Sequence, residues 1–342
     1  MKYSFLNDYS EGAHPKILDA LVSSNRVQQT PYGDDNYSNK AKNLIKDKIG
    51  NQKVDVFFVS GGTQANLIII SSALKSHESV ISANTGHITL REAGAIEATG
   101  HKINSVVSND GKLTTAAITE VLKEHDFGAH VVKPKMVYIS NATEIGTIYT
   151  KSELKDLSGF CKKNNLYLFL DGARLGSALT ASNNDLTLLD IARFTDIFTI
   201  GGTKNGALIG EAIVVVNDKL KEDFPFHIKQ RGAMLSKGRI LGIQFLELFK
   251  DDLFFDLSRH SNRMAAKLTA AIKATGFKMS SESTSNQIFP ILPNQLITEL
   301  EKKFEFYRWS KFNDDFTVLR LVTSWATEES KVDEFIDELA KN

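Results

Sequence analysis

Between residues 54 and 219, short apolar runs alternate with stretches whose apolar residues recur every three or four positions. An apolar run bounded by turn residues reads as a buried strand, and the longer period between such runs is that of a helix packed by one face. The alternation predicts an α/β fold whose mostly parallel sheet is covered on both sides. Seven strands are expected, at 54–59, 79–82, 102–107, 136–140, 167–171, 196–200 and 212–216, several of them rich in Val, Ile, Phe and Tyr. Helices are expected at 63–74, 114–123, 151–164 and 186–193, with Thr114 and either Thr150 or Ser152 as N-caps.

The texture changes near Gly238. Segments 239–249 and 251–275 read as long helices ended by Gly276, followed by strands at 287–292, 304–309 and 317–323 and a closing helix at 327–340. This predicts a large domain over 1–248 and a small α+β domain over 249–342. The first fifty residues are expected to hold one helix, 15–22, and an irregular loop at 30–36.

Charge and cysteine content narrow the partners. Forty-one Lys and Arg balance forty-one Asp and Glu, so no net field draws nucleic acid or an anionic membrane, and a small-molecule partner is expected. A single cysteine, Cys161, allows no internal disulfide and predicts a cytoplasmic protein. Residues 1–8 lack an apolar signal core, and the most apolar run, 67–70, meets Ser71 and Ser72, so no membrane span is expected. Eight histidines without H-E-x-x-H or another metal spacing predict no metal centre.

Ligands of open α/β sheets gather beyond the carboxyl ends of the strands, which makes polar residues just after the apolar runs the first candidates. Lys204 stands there among Gly201, Gly202, Thr203, Asn205 and Gly206. It is either a solvated turn lysine or a reactive amine that forms a Schiff base with a carbonyl. Ser60–Gly61–Gly62–Thr63 turns a strand into a helix whose free N–H groups suit a phosphate, or is an ordinary turn with Thr63 as N-cap. It matches neither G-x-G-x-x-G nor the P-loop, which argues against a Rossmann-type nucleotide binder. Asp171 either pairs with Arg174 or keeps a pyridine nitrogen protonated. His87, after Thr85 and Gly86, is either a local cap or an imidazole at the same sheet edge. Pyridoxal phosphate accounts for all four together.

Across nearly its whole length the chain resembles the threonine aldolase and β-eliminating lyase family of fold-type I pyridoxal phosphate enzymes. The resemblance rests on Tyr32–Gly33–Asp34–Asp35, Gly62–Thr63–Gln64–Ala65–Asn66, His87 with Glu92–Ala93–Gly94, Asp171–Gly172–Ala173–Arg174, Thr203–Lys204 and Arg320–Leu321–Val322–Thr323. It implies that Lys204 carries pyridoxal 5'-phosphate as a Schiff base, that Asp171 pairs with the pyridine nitrogen and that His87 stacks on the ring. Gly62 and Thr63 then hold the phosphate, while Arg174 and Arg320 take the α-carboxylate of an amino acid substrate. Three positions depart from the better-known threonine aldolases. Asn7 stands where a serine helps bind the carboxylate, Glu144 where a histidine lies close to the substrate hydroxyl, and Lys237 near the place of a phosphate-binding arginine from a neighbouring subunit. The family forms dimers or tetramers, and Tyr32 is expected to cross into the partner's site.

The leading expectation is cleavage of β-hydroxy-α-amino acids, with threonine giving glycine and acetaldehyde and with His87 or Glu144 as base. Glu144 keeps a β-elimination open as the alternative lyase reaction. A non-catalytic cofactor-binding protein is the alternative of another class.

Overall fold

The computed structural model describes residues 2–341; Met1 and Asn342, the outer ends of the two predicted domains, lie outside the described residues. A two-residue strand β1 (Tyr3–Ser4) opens the chain, and then β2 (Asp55–Val59), β3 (Glu78–Ala83), β4 (Lys102–Val106), β5 (Lys133–Ser140), β6 (Tyr167–Asp171), β7 (Ile197–Gly201) and β8 (Glu211–Val215) build the large sheet. Its order is β2-β8-β7-β6-β5-β3-β4. β8 runs antiparallel to both its neighbours, and the other pairs are parallel.

All seven strands expected from the apolar runs are present, shifted by one to three residues at some ends. They were legible because both faces of the sheet are covered, which leaves no polar alternation. Leu168 and Leu170 of β6 and Ala212 and Val214 of β8 enter one core, whereas Phe169, Ile213 and Val215 enter the core on the opposite face. The helices Thr115–Glu124, Lys151–Lys163 and Leu188–Phe194 follow the predicted pattern, with Thr114 and Thr150 as N-caps and Glu153 completing a capping box with Thr150.

The first fifty residues hold two helices rather than one, α1 (Pro15–Ser24) and α2 (Asn36–Ile49). The Asp35 side chain caps α2 by accepting from Ser38 N, and Gly50 closes it at φ 71°. Ala41, Ile45 and Ile49 bury its inner face in the core of the large sheet. Polar residues on the other face had hidden this stripe.

The C-terminal segment forms a second sheet from β9 (Gln287–Ile288), β10 (Ile291–Pro293), β12 (Tyr307–Lys311) and β13 (Phe316–Val322), while β11 (Phe304–Glu305) pairs with β1. The predicted strand at 287–292 breaks at Phe289–Pro290, since a proline has no N–H for the ladder. Helix Leu253–Ala274 places Phe254 and Leu257 in the core of the large sheet, and Met264, Leu268 and Ile272 in that of the small one. Leu319 and Leu321 of β13 enter the small core, so Arg320 between them faces the other way.

Candidate active site

Five strand ends carry the candidate residues. α3 (Gly62–Ala73) starts after β2, His87 follows β3, Glu144 follows β5, Asp171 ends β6 and Lys204 follows β7. Two glycines let the last two strand ends meet. A Cβ on Gly172 would lie 1.9 Å from the Thr199 carbonyl oxygen, and one on Gly201 2.4 Å from that of Ala173. Neither position has room for a side chain.

Lys204 sits on the single turn Thr203–Asn205, and both of its neighbours are pinned. The Thr203 hydroxyl accepts from Gly210 N at 3.0 Å. The Asn205 amide donates to the Phe254 carbonyl at 2.7 Å and accepts from the Ser258 hydroxyl at 2.9 Å. The lysine amine itself has no hydrogen bond and no ion pair among the described residues. Loss of solvent pushes its pKa down, as does the positive charge of Arg174, against the pull of Asp8, Asp171 and Glu211. A larger neutral fraction is what a nucleophilic amine requires.

Asp171 is held by three donors. Tyr138 OH donates to Oδ2 at 2.6 Å, Asn66 Nδ2 to the same oxygen at 3.3 Å and Ala173 N to Oδ1 at 2.9 Å. It does not pair with Arg174, so that reading of the Asp171–Arg174 sequence is corrected. Arg174 instead donates from Nε and Nη2 to the two oxygens of buried Asp8 at 2.7 and 2.9 Å. Burial alone would push the Asp8 carboxyl up, but Arg174 and then Lys204 hold it below its ordinary value.

Arg320 differs from Arg174. Its Nε and Nη2 both donate to the neutral Oε1 of Gln287, at 3.2 and 2.8 Å, and its guanidinium stacks 5.3 Å from the Trp309 ring centre. No carboxylate lies within ion-pair distance among the described residues. Burial, then Arg174, pushes its pKa down. A largely buried cation without a counter-ion is a natural anion receptor.

His87 opens the short helical turn His87–Leu90. Its backbone N–H donates to Glu144 Oε1 at 2.8 Å, and the Ser140 hydroxyl donates to the same oxygen at 2.7 Å. Burial pushes the Glu144 carboxyl up despite those bonds. On its other side His87 Nδ1 lies 2.8 Å from Oε1 of Glu92.

α3 begins with Gly61 as its N-cap and with no side-chain cap bond, so Thr63 lies inside the first turn and does not cap it. The backbone N–H groups of Gly62, Thr63 and Gln64 have no partner among the described residues, which is the condition for an anion at a helix start. Asn7 Oδ1 accepts from Tyr9 N and the Ser10 hydroxyl, one residue from Asp8. Tyr32 and Lys237 lie elsewhere on the chain. Both are exposed; Tyr32 N donates to Ser236 O at 3.2 Å, and its ring packs under Lys229. No hydrogen bond or ring contact joins either residue to Lys204, Asp171 or His87.

Sequence reasoning assigned no role to Asn66, Glu92, Tyr138, Gln287 or Glu211. Asn66 and Glu92 stood in the motifs that carry the family resemblance, whereas Tyr138 joins the Asp171 face only through the register that pairs Ser140 with Asp171. Glu211, buried at the head of an apolar strand, was a lone charge next to the predicted run. Burial and then Asp171 push its carboxyl up to about 8, and its Oε1 has no hydrogen-bond partner.

A seven-stranded, mostly parallel sheet with a lysine, an aspartate and a free helix start at its carboxyl edge is the arrangement of the fold-type I pyridoxal phosphate-dependent enzymes. The family model described as beta-eliminating lyase matches residues 5–293, and the chain belongs to that family. The low specificity L-threonine aldolase of Pseudomonas sp. (strain NCIMB 10558) is 34% identical over 96% of this chain and 95% of its own. That of Pseudomonas aeruginosa is 32% identical with the same coverage. The solved threonine aldolase of Leishmania major is 52% identical, covers 99% of both chains and superposes with a TM-score of 0.98. Thermus thermophilus aspartate aminotransferase, 13% identical with a TM-score of 0.73, shares the fold alone.

Proposed function

We propose that this chain cleaves the Cα–Cβ bond of β-hydroxy-α-amino acids, giving glycine and acetaldehyde from threonine, with pyridoxal phosphate held in the crevice at the sheet edge. The observation that carries the reading is the unpartnered Lys204 amine, pushed toward its neutral form in the same crevice as the uncompensated Arg320. The residues present fit the cofactor. Lys204 matches its aldehyde, the acceptor Asp171 its ring nitrogen, and the free N–H groups of Gly62 and Thr63 its phosphate. When bound, it supplies an electron sink for the charge left at Cα as Cα–Cβ breaks.

The remaining steps belong to side chains. Arg320, assisted by Arg174 and Asn7, holds the substrate carboxylate and so fixes which bond at Cα faces the ring. Asp171 keeps a proton at the ring nitrogen. His87 would lie against the bound ring, and either its Nε2 or the Glu144 carboxyl takes the proton from the β-hydroxyl. The upward push on Glu144 brings it nearer the range useful to a base at neutral pH. Lys204 returns a proton to Cα as glycine forms.

Assembly and location complete the proposal. The exposed Tyr32 loop and Lys237 serve a neighbouring subunit of a homodimer or homotetramer, and exposed Val22 and Phe226 are consistent with surfaces covered in that assembly. No described helix is long and apolar enough to cross a membrane, and we place the enzyme in the cytoplasm. Glu144 is also the residue that supports β-elimination as a second reading, since a carboxyl pushed up by burial is able to protonate a leaving group. Loaded protein supplied with threonine, allo-threonine and serine should release acetaldehyde and glycine from the first two. Pyruvate or 2-oxobutyrate without glycine would overturn the aldolase reading in favour of elimination.

A further inference from the structure

We infer that Glu92 is a positioning residue that holds His87 in the tautomer with its proton on Nδ1, and that Asn66 joins this pair to Asp171. The inference deepens the proposed reaction and rests on that reading for the role of His87.

The Glu92 side chain is fully buried, and its Oε1 lies 2.8 Å from His87 Nδ1. A carboxylate oxygen serves as an acceptor, and Oε1 already accepts from Asn66 Nδ2, so the geometry assigns the hydrogen of this contact to Nδ1. In a neutral imidazole the other nitrogen, Nε2, then carries the free lone pair. No described residue bonds Nε2, and about a third of the ring side chain is exposed. The atom left free is therefore the one that can accept a proton from a bound substrate.

Asn66 extends the arrangement. Its Nδ2 donates to the same Glu92 Oε1 at 2.7 Å and to Asp171 Oδ2 at 3.3 Å, so one buried amide bridges the acid that serves His87 and the acid assigned to the ring nitrogen. Oδ1 of Asn66 and Oε2 of Glu92 are both buried without a hydrogen-bond partner. Leaving such atoms unsatisfied forfeits their hydration without a replacement bond, so stability alone does not favour this arrangement. What it achieves is a fixed imidazole next to a fixed aspartate.

The test is long-range proton–nitrogen NMR on cofactor-loaded protein labelled with ¹⁵N-histidine, with the His87 signal identified by its loss in His87→Phe. Wild-type His87 should appear as the Nδ1–H tautomer. Glu92→Leu should shift it to Nε2–H and lower kcat for threonine about 10- to 100-fold, with KM changed by less than about threefold. Glu92→Gln, which preserves an accepting oxygen, should keep the Nδ1–H form. An Nε2–H tautomer in the wild type, or an unchanged tautomer in Glu92→Leu, overturns the inference. Should Glu92→Leu fail to fold, the wild-type spectrum still decides. Because the tautomer is read without turnover, failure of the aldolase reading would leave this result separately visible.

Discussion

Arg174 grips Asp8 through Nε and Nη2 at 2.7 and 2.9 Å, and Arg308 grips Glu301 through the same atoms at 2.7 Å each. The first fork lies in the crevice, with side chains 12% and 1% exposed; the second lies on the small sheet, at 43% and 36%. Equal geometry in unequal surroundings separates two uses of charge. On the surface several charges find a nearby opposite, as in Lys302–Glu299 or Lys311–Asp314, and water screens the others. In the crevice burial amplifies every charge, and Arg320 and Lys204 remain without carboxylate partners within ion-pair distance among the described residues. The imbalance there is what the carboxylate of an amino acid and an aldehyde cofactor can answer.

The comparison can be broken at several points. The largest effect is expected from Lys204→Ala, which should lower kcat for threonine by about 10³-fold or more in a steady-state assay with cofactor added; near wild-type turnover would remove the crevice from the reaction. Next comes Asp8→Ala, which strands Arg174 in the interior and should cost about 3–5 kcal/mol in urea unfolding. Glu301→Ala on the surface should cost no more than about 1 kcal/mol in the same experiment, and similar losses at the two sites would erase the distinction. Arg320→Leu should reduce kcat/KM for threonine about 100-fold while costing less in urea unfolding than Asp8→Ala, because the lost cation leaves only the neutral Gln287 acceptor behind and has no ionic partner among the described residues.

A further effect is one of pH. Glu211, ordinarily near 4.5, is held up to about 8, so the folded protein keeps a proton that the unfolded chain releases. That contribution to stability is complete below about 4.5 and is lost as pH rises through about 8. Glu211→Gln has no such loss. Its stability relative to wild type should therefore grow by about 1 kcal/mol or more between about pH 5 and pH 9, measured by urea unfolding. A difference that stays constant would show that Glu211 does not hold its proton.

Local features were legible in the chain and distant pairings were not. The strands showed because continuous apolar runs are the mark of a sheet buried on both faces, and Thr150 or Ser152 marked a helix start that the structure gives to Thr150, with Glu153 closing the capping box. α2 was missed although Asp35, the stripe at Ala41, Ile45 and Ile49, and Gly50 all marked it, because polar residues dominate its outer face. Thr63 had the chemistry of an N-cap, yet the helix begins two residues too early for it, with Gly61 at the cap position. Arg174 had an acid three residues away and chose one 166 residues distant, a pairing that only the folded chain defines. The same holds for Gln287, whose amide also donates to the Thr143 carbonyl at 3.0 Å and so ties the arginine-bearing sheet to the loop of Glu144.

Reductive trapping tests the central claim most directly. Cofactor-loaded protein is treated with borohydride, digested, and searched by mass spectrometry for the peptide that has gained the reduced pyridoxyl phosphate group. The account predicts that group on Lys204, and its loss from that peptide when threonine analogues are present during reduction. Stable attachment at another lysine, or none at all in protein that turns over threonine, would contradict it.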